Sequence, residues 1–177
     1  MRFAPEMRTE FPLATAFLIA HIPAIMDWWR WRVRLAFRTT AEVSREQLAK
    51  AVSPHGWPLF KAADLDLFGK SQEDFCAGRF PGTISSAAEF KQVIDLSKHM
   101  LRWYEWSERN RADRNMRFFL QVTAWHEMVH WADQLDGKDN PEEMDHRFEG
   151  RAFGTNVSPS VDKWNEAVRL EHGVSLA

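Results

Sequence analysis

Three residues carry the clearest chemical potential in this chain: His126, Glu127 and His130, in the run Trp125-His126-Glu127-Met128-Val129-His130-Trp131. The pattern is His-Glu-x-x-His, which on a helix can bind zinc and supply a general base. An α-helix turns about 100° and rises about 1.5 Å per residue. His126 and His130 therefore fall about 40° and roughly 6 Å apart on one face, and their imidazoles can converge on one ion. Glu127 projects about 100° away from His126. That is too far round for an easy third ligand, but within reach of a water on the metal. Zinc favours nitrogen ligands in a tetrahedron, and a catalytic site leaves one position to water. The metal acidifies that water, and the carboxylate takes its proton as it attacks a carbonyl.

A histidine pair on a helix can also be a packed, hydrogen-bonded core feature. The flanking residues argue for chemistry. Thr123, Ala124, Trp125, Met128, Val129, Trp131 and Ala132 are all uncharged, so the pair belongs to a buried helix. A Glu buried between two buried His is costly without a partner ion. Asp113 is the expected N-cap of this helix. Phe118, Phe119, Val122, Val129 and Ala132 keep helical spacing, and the helix should run to about Leu135.

Two histidines rarely hold catalytic zinc alone, so a third protein ligand is expected. Glu149 is the leading candidate. It lies nineteen residues after His130 on a separate expected helix, with Asp145, His146, Ala152 and Phe153 at three and four spacing. Gly150 and Ala152 are small enough to allow close helix approach. Asp136 is a rival, because His126-Glu-x-x-His-x-x-Asp133-x-x-Asp136 has metzincin spacing. That pattern needs a glycine where Asp133 stands, to break the helix sharply. His146 and Asp133 remain further candidates, and Asp133 is better cast as an orienting residue near His130. Amide attack also calls for a donor to the developing oxyanion. The chain offers Tyr104, His99, His146 and His172. His146 shares a helical face with Glu149 and is the preferred candidate, whereas Tyr104 lies on the apolar side of its helix.

The elements that must position these groups are mostly helical. At 177 residues the chain is expected to be one domain, residues 1–177, large enough for a real core. A net charge of −2 gives no global electrostatic case for nucleic acid. Cys76 is the single cysteine, which excludes an intrachain disulfide and fits a cytoplasmic origin. Nine Trp and thirteen Phe predict either a large core or an exposed aromatic surface.

Along the chain, residues 1–10 are polar and expected to be loose. Phe11 to Met26 is apolar behind Arg2 and Arg8. It contains His21 and Pro23 and lacks a clear cleavage site, so it is taken as a buried helix ended near Pro23 rather than a signal or membrane segment. From Trp29 to Arg38 large apolar residues alternate with arginines, which predicts a half-buried strand. The alternative is an arginine and tryptophan patch for anionic surfaces. Ser44 with Gln47 predicts a capping box and a helix to about Val52. Residues 55–90 are punctuated by Gly78, Pro81 and Gly82 and are expected to form an ordered loop region. Gln92 to Leu96 is a candidate strand, and Ser97 an N-cap for a helix from about Lys98 to Arg109. Gly137 should stop the His-Glu-x-x-His helix. Pro141 should open the Glu149 helix, ending near Gly154, and Ser158-Pro159 a last one.

With Glu149 on the next helix, the motif resembles the gluzincin metallopeptidases. More narrowly, Val93-Ile94-Asp95-Leu96-Ser97, the helix after it, His126 to Asp133, Asp136-Gly137, Phe148-Glu149 and Phe153-Gly154 resemble the zinc metallopeptidase toxin domains of type VI secretion spike (VgrG-type) and related polymorphic toxins. The resemblance covers roughly residues 90–156. Gluzincins often place an Asp four residues after the Glu ligand, where this chain has Phe153. The resemblance implies a hydrolase made in the cytoplasm and delivered into a neighbouring bacterium, with its periplasm as one destination. It also implies a peptide or protein substrate, a secretion spike or chaperone, and an immunity protein. No integral membrane segment and no nucleic-acid partner are expected. The expected fold is a mainly helical α+β, zincin-like domain. Its small sheet would lie near residues 29–40 and 91–97, with 91–97 receiving an extended substrate by β-augmentation. A non-catalytic adaptor held together by zinc is the alternative.

Overall fold

The computed structural model describes residues 1–65, 78–79, 92–134 and 141–154, with side chains in the last stretch from Arg147 onward. Mainly helical, it carries a small four-stranded sheet, as expected of the α+β class. The chain begins with strand β1 (Arg2–Phe3), α1 (Pro5–Glu10) and α2 (Pro12–His21). Two 3-10 turns, Pro23–Met26 and Trp28–Arg30, lead into α3 (Trp31–Thr40) and α4 (Arg45–Val52). Then come β2 (Leu59–Ala63), β3 (Gly78–Arg79), β4 (Val93–Ser97), α5 (Lys98–Trp106), α6 (Glu108–Ala112), α7 (Arg114–Gln134) and α8 (Pro141–Phe153).

Local chemistry sets many of these boundaries. Pro5 and Pro12 open α1 and α2 in the first helical turn, where a missing N–H costs nothing. Pro23 closes α2 into a 3-10 turn, as expected from its locked φ. Ser44 Oγ accepts from Gln47 N at 3.1 Å while Gln47 Oε1 accepts from Ser44 N at 2.7 Å, a complete capping box. Ser97 caps α5. Ser107 caps α6 through Asn110 N at 3.1 Å, so the helix expected to reach Arg109 is instead two. Ser107 leaves helical geometry to satisfy a new N-terminus.

The sheet order is β1-β2-β4-β3. β1–β2 and β2–β4 are parallel, with Phe60 opposite Ile94, and β3 runs antiparallel to β4. All five residues of β4 are buried. β4 is paired on both sides, so it is not an edge that an extended substrate can join. That corrects the expectation for residues 91–97. Residues 1–10 are likewise ordered rather than loose: Met7 is fully buried in the core, and Arg2 stacks 3.8 Å above the Trp57 ring.

The strand expected from Trp29 to Arg38 is a helix. Ala36, Phe37 and Thr40 are buried and Val33 is half-buried, at i, i+3, i+4 and i+7. Trp31 and Leu35, which alternation would have buried, are exposed. Phe37 meets Phe148 of α8 edge-on, with centroids 6.1 Å apart. The sheet therefore gains nothing from residues 29–40; β2 and β3 flank β4 instead, with β1 on the far side of β2.

Candidate metal centre

From Phe119 to Asp133 helix α7 is enclosed nearly all round, with only His126 and His130 half-buried and the rest buried. Met116, Leu120, Ala124, Trp125, Met128, Val129 and Ala132 are among its buried residues. Asp113 caps it, its Oδ1 accepting from Asn115 N at 2.8 Å. Side chains lock its rotation. Gln121 Nε2 donates to His21 O at 2.6 Å, and Trp125 Nε1 donates to Ile22 O at 3.1 Å, both at the end of α2. Trp131 Nε1 donates to Gln92 Oε1 at 3.3 Å, beside the start of β4. His126, Glu127 and His130 thus sit on a fixed frame.

The two imidazoles converge. His126 Nε2 and His130 Nε2 lie 3.1 Å apart. Two nitrogens bound to one tetrahedral zinc at its usual bond lengths stand about 3.3 Å apart. The other ring nitrogen of His126, Nδ1, is 2.8 Å from Glu149 Oε1, across from α8. A carboxylate accepting from Nδ1–H holds the imidazole in the tautomer whose Nε2 lone pair is available to a metal. Glu127 and Glu149 are both buried, at 8% exposure each. Two carboxylates and two imidazoles in one buried cluster fit a cation better than an apolar core does. Among the described residues no set of three His, Cys, Asp or Glu side chains closes around a single point. Glu149 stands on the Nδ1 side of His126, whereas the two Nε2 atoms meet on the other.

Strand β3 completes the floor. Gly78 lies directly over the turn of α7 from Thr123 to Glu127. A Cβ there would stand 2.7 Å from Glu127 Cγ, 2.9 Å from Thr123 Cγ2 and 3.0 Å from Glu127 Oε1. Only glycine allows the strand to come this close. The neighbouring Arg79 pairs with Asp95 of β4 at 2.9 Å and pins the two strands together. Among the described strands, β3 is the edge beside the His-Glu-x-x-His helix. Neither Gly78 nor Arg79 was a candidate from sequence. A glycine inside a strand signals close backbone approach, but Pro81 and Gly82 nearby made the stretch resemble a turn.

The remaining candidates separate. Tyr104 is buried against Phe17 of α2, with ring centroids 5.3 Å apart, and burial pushes its phenol upward. That is a core position, as its helix face implied. Asp133 is buried on α7 one turn beyond His130. His99 is half-buried in the first turn of α5. His146 lies on α8, one turn before Glu149, but its side chain is outside the described residues, as are Asp136, Gly137, His172, Cys76 and the helix expected from Ser158.

A buried helix offering two converging imidazoles and an adjacent carboxylate beside a strand edge is the framework of a metal-dependent hydrolase. The chain belongs to the metallopeptidase toxin 3 family, whose sequence model matches residues 7–157. It is therefore a metallopeptidase toxin domain, and a metal cofactor goes with that family. The match extends far beyond residues 90–156, where the motif resemblance lay. No curated protein and no solved structure matches the chain.

Proposed function

We propose that this domain is a zinc-dependent peptidase that cleaves peptide bonds in a protein of a target bacterium. The single observation that carries the reading is the 3.1 Å approach of His126 Nε2 to His130 Nε2 beside buried Glu127. In this reading His126 and His130 hold the metal through Nε2. Glu149, which stands at His126 Nδ1, would be the third ligand. Zinc held there would polarise the scissile carbonyl and make an attacking water more acidic. Glu127 would accept a proton from the attacking water and pass it to the leaving amine. Its burial against Gly78 keeps the carboxylate in one place and away from bulk water. His146 is the proposed donor to the oxyanion, from the same helix as Glu149.

The toxin family supports delivery into another cell, and we assign this domain to antibacterial effectors with an immunity protein in the producer. Carriage by a type VI secretion spike is the proposed route. No described helix is long and apolar enough to cross a membrane.

The test is Glu127→Gln, which keeps shape and most hydrogen bonds but removes the base. Hydrolysis of an unfolded protein substrate should fall by a factor on the order of 10² to 10⁴, with zinc content and melting temperature retained. Unchanged toxicity in that variant would instead favour a non-catalytic zinc-held adaptor.

A further inference from the structure

The segment corrected from strand to helix leaves an unusual surface. Trp28 is 84% exposed, Trp29 and Trp31 56% each, and Leu35 49%. Between Asp27 and Glu42 there is no acidic residue, while arginines stand at 30, 32, 34 and 38. These indoles are not carried on a loose tail. The Arg34 guanidinium donates to Met26 O at 2.9 Å and Asp27 O at 3.0 Å, bracing the turn that bears Trp28. Arg30 donates to Gln121 Oε1 at 3.4 Å and lies over the Trp29 and Trp125 rings, tying the same turn to α7. The inner side of α3 is already committed to the core through Ala36 and Phe37. Its outer side forms one wall of a shallow groove against α8, lined by Trp31, Arg32, Leu35, Ala36, Thr39 and Arg151. The floor is apolar, and exposed Arg32 and Arg151 flank it.

Fixed, protruding indoles beside guanidinium groups suit one environment well. Tryptophan favours the boundary between hydrocarbon and water, with its ring in the headgroup layer. Arginine stems lie along apolar surface while their heads reach phosphates. A run of arginines without carboxylates is attracted to an anionic leaflet. A protein partner of acidic character would meet the same charge. But Trp28, the most exposed of the three, projects outward rather than lining a concave site, which favours insertion into a soft layer over a fitted protein surface.

We propose that the face from Trp28 to Thr39, with Arg151, is a peripheral docking surface for an anionic phospholipid bilayer. The attachment is interfacial. It holds the domain at a membrane with α3 toward the lipid, and it stands independently of the peptidase reading.

The experiment is co-sedimentation of the full chain with vesicles of phosphatidylglycerol in phosphatidylcholine, against vesicles of phosphatidylcholine alone. Binding to the anionic vesicles should exceed binding to the neutral ones and weaken as salt rises. Lipids brominated in the acyl chain should quench part of the tryptophan fluorescence. The double variant Trp28→Ser, Trp31→Ser should lose at least about tenfold in partitioning, and Arg32→Glu roughly tenfold. Both variants alter exposed side chains and should keep the wild-type circular dichroism and melting temperature. Wild-type protein that ignores the anionic vesicles overturns the proposal and returns this face to an acidic protein partner. Binding undiminished in folded variants also overturns it, because the lipid contact then lies elsewhere.

Discussion

Gly78 and Glu127 pack so closely that no side chain fits between strand β3 and helix α7: a methyl on Gly78 would lie 2.7 Å from Glu127 Cγ and 3.0 Å from Oε1. The glycine is thus a positioning residue for the proposed base. Gly78→Ala must push either β3 or the Glu127 side chain aside, at a stability cost of about 1–3 kcal/mol. Displacing a reacting group by about 1 Å can cost on the order of 10²-fold in rate. Peptide hydrolysis should therefore fall by roughly that factor while zinc content stays at the wild-type level. Wild-type turnover in Gly78→Ala would show that the contact does not set the position of the base.

Arg79 and Asp95 test what holds β3 in place. Asp95 has only 12% of its side chain exposed, against 45% for Arg79, and they meet at 2.9 Å. Removing the guanidinium leaves a nearly buried carboxylate without this partner. Because Arg79 is half in solvent, the pair's own attraction is screened. Arg79→Ala should lower stability by about 1–2 kcal/mol, read from urea unfolding. It should also loosen β3, measured as faster amide exchange at Gly78.

Glu149 is tested by metal affinity. Glu149→Gln keeps an acceptor for His126 Nδ1–H but loses the charge a ligand supplies. If Glu149 coordinates zinc, affinity should fall well beyond the roughly 10–100-fold typical of an orienting partner. A fall inside that range would assign Glu149 to orientation of His126, where it stands at 2.8 Å, and would move the third ligand elsewhere.

His21 makes stability depend on pH. Burial first, then the guanidinium groups of Arg117 and Arg30, push its pKa below the ordinary histidine value. The folded protein prefers the neutral ring, so the unfolded chain takes up the proton first as pH falls. Stability is therefore full above about pH 6.5 and declines as pH drops through that value toward the lower folded one. The melting temperature of the wild type should fall more between about pH 7.5 and about pH 5.5 than that of His21→Gln. Equal falls would contradict this origin.

Much of the site was legible because its geometry is local. His126 and His130 share a helix, and a helix fixes their separation. Caps were legible for the same reason: Ser44 with Gln47, Ser97 and Asp113 each satisfy a neighbouring N–H. Pairings between distant segments were not. Nothing local in Leu59–Ala63 or Arg2–Phe3 marks a strand; they are strands because buried Phe3 pairs opposite Phe60, and Phe60 opposite buried Ile94. Residues 29–38 misled because arginine at most even positions mimics a period of two. The helical face formed by Val33, Ala36, Phe37 and Thr40 overlaps that pattern, and tertiary burial against Phe148 decided between them.

The most direct measurement is the zinc content of protein purified without added metal, by elemental analysis, for wild type, His130→Ala and Glu127→Gln. The proposed centre predicts one zinc per chain in the wild type and in Glu127→Gln, and its loss from folded His130→Ala. Wild-type protein that takes up no zinc even when supplied with it, or folded His130→Ala that holds zinc as tightly as wild type, would contradict the metal site at its core.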